Sequence, residues 1–190
     1  MPLPRGVAAR ADDILVAHMT WLLLLALAAL AAAVVMAARR GLTSLQDGRD
    51  RALAALETQL AKRQELMIQI VGLCSRLMHY ERETLERVSS AGGAVLVAAR
   101  GGDLPALAAA DRTHRAASEA LFRLAANYPQ FGSSAAFRAL RERAATLDAR
   151  VDERREQYNT AVSMLNFRCQ AFPHNLVARS MGVQPAPFLS

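Results

Sequence analysis

Ile14 to Ala38 reads ILVAHMTWLLLLALAALAAAVVMAA, twenty-five residues without one Asp, Glu, Lys or Arg, and this run constrains the chain more than any other feature. Wound as a helix at about 1.5 Å per residue it reaches roughly 37 Å, enough to cross a hydrocarbon core of about 30 Å. A cleaved signal peptide competes with this reading, but such apolar regions run only about 7–15 residues, and their leading segment does not normally carry acids such as Asp12 and Asp13. A buried core helix fits less well, because about 150 further residues could hardly wrap a helix that is apolar on every side. The first cysteine is Cys74, too far on for a lipoprotein anchor. The expected organisation is therefore a short segment 1–13, a transmembrane helix 14–38 and one domain over 39–190. Ile14, Trp21, Leu25 and Val35 lie in the bilayer segment, with Trp21 near one interface and Arg39 and Arg40 at the opposite headgroups. His18 reads as an interfacial residue without a function. Arg5 and Arg10 precede the run, whereas Arg39, Arg40, Arg49 and Arg51 follow it, so the Lys/Arg bias places the domain in the cytoplasm.

Outside that run the composition points to helices. Aromatic residues make up only 5% of the chain, Ala, Leu and Arg are abundant, and a rich β-sheet is not expected. Two cysteines without paired Cys or His spacing exclude a disulfide-stapled scaffold and a Cys-based zinc module. The formal charge of +6 lies entirely after the anchor, where 21 basic residues face 15 acidic ones. Such a balance beside a bilayer favours anionic headgroups, at about 1 kcal/mol per nearby basic residue. Nucleic acid is not an expected partner, since the basic residues alternate with acids (ERETLER, DERRE) as they do on a solvated helical face.

Apolar periodicity divides the domain further. Leu53, Leu56, Leu60, Met67, Ile70, Cys74, Leu77, Thr84 and Val88 follow three- and four-residue steps, with Arg63 and Glu81 as polar exceptions, which predicts one long helix over about 43–90 that stops at Gly92–Gly93. Residues 94–100 read as a frayed connection. Asp103 can cap a second helix, 104–127, with Pro105 in its first turn and a stripe of Leu107, Ala110, His114, Ala117, Leu121 and Leu124. Ser133 or Ser134 can cap a third, 134–171, whose Phe137, Ala144, Val151, Tyr158, Leu165 and Phe172 repeat every seven residues as in a coiled coil. Pro173 ends it, and a short piece, 174–182, follows. The fold class is all-α: an N-terminal transmembrane helix, then an antiparallel up-and-down, four-helix-bundle-like domain of three long helices and a short one.

Candidate chemistry is sparse. Di-iron bundles need paired Glu-x-x-His repeats on facing helices, and only Asp111-Arg-Thr-His114 comes near, on an apolar stripe that suits a core histidine better than a ligand. His79 and Glu83 share a helical face at metal-binding spacing, but Glu81, Glu83 and Glu86 alternate with Arg82 and Arg87 as a charge ladder. Cys74 reads as a small apolar filler, and a bridge to Cys169 is left open although a cytoplasmic domain would keep both reduced. No catalytic motif, cofactor-binding loop or metal site is expected. One polar cluster stands out: Asp148, Arg150, Arg154, Arg155, Tyr158 and Asn159 crowd the third helix. It reads either as an internal Arg-carboxylate network with Asp148, or with Glu81 and Glu83, that fixes helix register, or as a partner or anion surface.

The stretch KRQELMIQIVGLCSRLMHYERETLERV (62–88), then NYP (127–129), RVDERREQYNTAV (150–162), Asn166, Phe172–Pro173 and QPAPF (184–188) resembles the LemA family over most of the chain after the anchor. Leu66-Met67-Ile68-Gln69 stands where that family commonly has Leu-Ile-Pro-Asn, Asp148 where it has Glu, and Leu165 where a second Tyr-Asn pair has Tyr. The resemblance implies a single-pass protein of the bacterial inner membrane with a helical bundle and no established molecular activity. It also implies relatives in magnetosome membranes. The expected function is a non-enzymatic scaffold or interaction module, with the lipid bilayer and other membrane or membrane-associated proteins as partners. The alternative is a membrane-shaping or anionic-lipid-binding protein.

Overall fold

The computed structural model describes residues 5–78 and 81–189, with side chains from His18 onward. All regular structure among these residues is helical: α1 (Arg5–Cys74), α2 (Arg82–Gly101), α3 (Leu104–Ala125), α4 (Pro129–Ser133), α5 (Ala135–Gln170) and α6 (His174–Ser180). The all-α expectation holds. The chain forms two compact units, one of Met1–Ser44 with Arg168–Gln184, the other of Leu45–Phe167 with Pro185–Ser190.

In the first unit the apolar run lies wholly within α1, which is long and apolar enough to cross a membrane. Trp21, Leu25 and Val35 are exposed, as are Arg39 and Arg40, while the side chain of Ile14 lies outside those described. Among the described side chains from His18 to Ser44, only Ala38 and Leu42, one turn apart, are buried. The unit's other piece contributes buried Val177 and Ala178 from α6.

The second unit is a bundle of four long helical stretches, the later part of α1, then α2, α3 and α5, with the single-turn α4 between the last two. The expected single helix over 43–90 is corrected here, because α1 ends at Cys74 and α2 begins only at Arg82. A continuous helix cannot bury its own stripe. Breaking it lets Leu66, Met67, Ile70 and Cys74 share a core with Leu85, Val88 and Ala91, while Leu77, at the break, is left exposed. Gly92–Gly93 does not end a helix either. Burial at Leu85, Val88, Ala91, Val95 and Ala99 continues through the pair, and a Cβ on Gly92 would fall 1.6 Å from the Gln64 side chain, so glycine permits the close approach of α2 to α1. The true stop is Gly102, whose φ of 67° closes α2 in the left-handed conformation.

The next two starts follow the expected caps. Asp103 accepts the Ala106 N–H at 2.9 Å, and Ser134 Oγ accepts the Phe137 N–H at 3.2 Å. Between them, α4 is a single turn that buries Phe131 against Phe137, ring centroids 4.7 Å apart. In α5, Phe137, Ala144, Val151, Tyr158 and Leu165 are buried at seven-residue steps. Phe172 breaks the series: α5 has ended at Gln170 and the ring is 79% exposed.

Candidate functional site

Two polar constructions occupy the bundle. The first grows from Arg63, the off-pattern residue in the α1 stripe. A guanidinium at a core position of an amphipathic helix must find a carboxylate, because an unpaired buried charge is costly. Arg63, 2% exposed, donates from Nη2 to Oδ1 of Asp111 on α3, itself 5% exposed, and from Nη1 to Oδ1 of Asp148 on α5 at 3.3 Å. The other oxygen of Asp111 accepts from Arg115 Nε one turn along α3 at 3.0 Å and from Arg155 Nη2 on α5 at 2.6 Å. Arg115 also grips both oxygens of Asp152, at 3.2 and 2.7 Å. The result is a charge-paired belt across α1, α3 and α5. Asp111 meets Arg155 while Arg115 meets Asp152, a reversed order that fixes α3 and α5 antiparallel and in register.

The electrostatics are those of a structural tie. Burial opposes ionisation of Asp111, but the Arg63 and Arg115 guanidiniums together hold its carboxyl below the usual value. Burial outweighs Arg63 at Asp148 and pushes that carboxyl up. His114, beside the belt on α3 and 2% exposed, is brought down to about 4 by burial and then by the Arg63 charge. Its ring is neutral at physiological pH, with neither nitrogen hydrogen-bonded within the protein, and it borders a cleft of about 110 Å³ with Arg63, Arg115 and Asp148.

The second construction holds the C-terminal strand of chain. Asn166 donates to the Ala186 carbonyl at 2.9 Å and accepts the Ala186 N–H at 2.8 Å; Asn159 does the same to Leu189, both bonds at 2.9 Å. Between them the buried Tyr158 hydroxyl donates to the Pro187 carbonyl at 3.1 Å. The spacing explains the fit: seven helical residues advance about 10.5 Å, and three extended residues about 10 Å. Pro187, which has no N–H, falls where only its carbonyl is needed. Ala186 and Leu189 are buried, whereas Phe188 points out.

The sequence cluster is thus divided. Asp148 and Arg155 enter the belt, Tyr158 and Asn159 enter the clamp, and Arg150 and Arg154 enter neither. Arg154 bonds Gln157 at 2.7 Å on the surface, and Arg150 lines an open cleft with Lys62 and Arg143. Glu83 is not a belt partner; it pairs with Arg87 at 2.6 Å. Its sequence partner His79 lies outside the described residues. Asp111, Arg115 and Asp152 were not among the expected network residues, although Arg63, as a charge inside an apolar stripe, pointed to a buried counter-ion. Cys74 and Cys169 are free thiols, and burial pushes Cys74 up to about 11, as suits an inert core filler.

A family model described as the LemA family matches residues 52–190. No curated protein matches the chain.

Proposed function

The chain belongs to the LemA family, and from that premise we propose that it is a non-enzymatic scaffold or interaction protein, held by a single pass in a bacterial inner membrane with its bundle on the cytoplasmic side. The observation that carries this reading is the belt. Asp111 and Asp152 are engaged by guanidiniums on two or three sides, Arg63 is engaged by two carboxylates, and His114 is neutral. The acids and bases of the belt are paired with one another, which supports a structural role for them in locking three helices together. A rigid helical platform with an apolar span is suited to presenting faces to neighbours, and the Lys/Arg bias around the span favours the cytoplasmic side.

Crosslinking of the full chain in its own membrane, followed by affinity purification, tests the proposal. Discrete protein adducts that persist in the belt variant Arg155→Gln, provided it folds, support a surface-borne scaffold role. Recovery of the uncrosslinked chain alone contradicts it.

A further inference from the structure

We propose that Phe172–Ser180, which includes α6, lies in the membrane interface beside the end of the anchor, with Phe172 and Leu176 seated among lipid acyl chains and Arg168 and Arg179 at the headgroups. The inference rests on the reading of residues 14–38 as a membrane span.

Four observations converge on it. The unit that contains the apolar run contains one other piece, 168–184. The buried residues of the run's end, Ala38 and Leu42, bracket Arg39 and Arg40, where the charge-free stretch gives way to headgroup level. Val177 and Ala178 are the buried residues of α6, so this helix joins the compact unit by one face. Two large apolar side chains beside that face are exposed: Phe172, two residues before α6, at 79%, and Leu176 at 58%, directly before the buried pair and on the same helix as the exposed Arg179.

Charge selects lipid as the occupant. Residues 168–184 contain Arg168 and Arg179 but no Asp or Glu, and 36–46 contain Arg39 and Arg40, again with no acid. Other acid-free stretches, such as 87–102 and 120–141, lie in the second unit; 36–44 and 168–184 belong to the unit that carries the span. Exposed large apolar residues flanked only by cations are the pattern of an interfacial segment on anionic lipid, buried about 5–10 Å into the headgroup and acyl boundary.

Trp21, the only tryptophan, provides an internal control. The full chain is reconstituted in vesicles of phosphatidylcholine with a minority of phosphatidylglycerol, using lipid brominated near the headgroup end of its acyl chains. Trp21 emission is compared with that of the double variant Trp21→Phe, Phe172→Trp, and with Trp21→Phe, Leu176→Trp as a second probe if the first perturbs helicity. Quenching of Trp21 and of the introduced indole by about half or more, with the latter shielded from aqueous iodide, is the expected result for this depth. Quenching of Trp21 with an introduced indole open to iodide overturns the inference but leaves the anchor intact, and marks the patch as a protein-facing surface. Unquenched Trp21 overturns the anchor and the inference together.

Discussion

Two stretches of α1 both carry several Leu but have opposite surroundings. Between Met19 and Met36 the large apolar side chains are 44–66% exposed; between Leu56 and Cys74 the stripe is at most 3% exposed. The second stretch alternates with Glu57, Lys62, Glu65 and Gln69, and the bundle covers its apolar face. The first has no polar face for water and no protein cover. The difference teaches that helix formation and burial are separate consequences of sequence: both stretches wind, but only the one with 3.6-residue periodicity buries in protein, and the other calls for a solvent of its own.

The largest effect should follow from giving the exposed stretch the charge it lacks. Leu25→Arg with Leu30→Arg costs about 2.5–3.5 kcal/mol per residue at the centre of a span, so the double variant should leave the membrane fraction while its bundle keeps its helical circular dichroism. Asp111→Asn should destabilise the bundle by about 3–5 kcal/mol in chemical unfolding, since three guanidiniums each lose one of their two carboxylates and Arg63 is buried. Arg63→Met combined with Asp111→Leu should recover most of that loss, which a purely catalytic carboxylate would not show.

His114 gives a pH signature. Its folded value of about 4 lies below the unfolded 6.5, so the unfolded chain binds the proton first and stability falls as pH drops from 6.5 towards 4, by on the order of 3 kcal/mol at most. Unfolding followed across that window should be flatter in His114→Leu than in the unmodified chain. Asn166→Ala should cost about 1–2 kcal/mol, with faster amide exchange at Ala186, because two bonds to the tail are lost. Arg154→Ala should change stability by less than about 0.5 kcal/mol, its one partner being the surface Gln157.

How much of this was legible in the sequence depends on the range of the interaction. Asp103, Ser134 and the α5 heptads act within one or two turns, and each stands where its pattern puts it. The break after Cys74 was not legible, since Gly72 lies inside the apolar pattern and no proline or glycine follows it before α2; the break is set by the gain from folding one stripe onto another. Gly92 misled for the same reason, its small size serving contact with Gln64 rather than a helix end. At the site, Arg155, Asp148 and Asn159 were singled out, but their partners Asp111, Arg63 and Leu189 are 44, 85 and 30 residues away in sequence, and pairings over such distances leave no local period.

The account stands most directly on the fate of residues 14–38 in the mature protein. Membranes prepared from the native cell, washed in alkaline carbonate and analysed by intact mass, measure retention and cleavage together. The account predicts that the uncleaved chain of 20.6 kDa stays with the lipid; release of the chain to the supernatant, or a species shortened by its N-terminal segment, would contradict it.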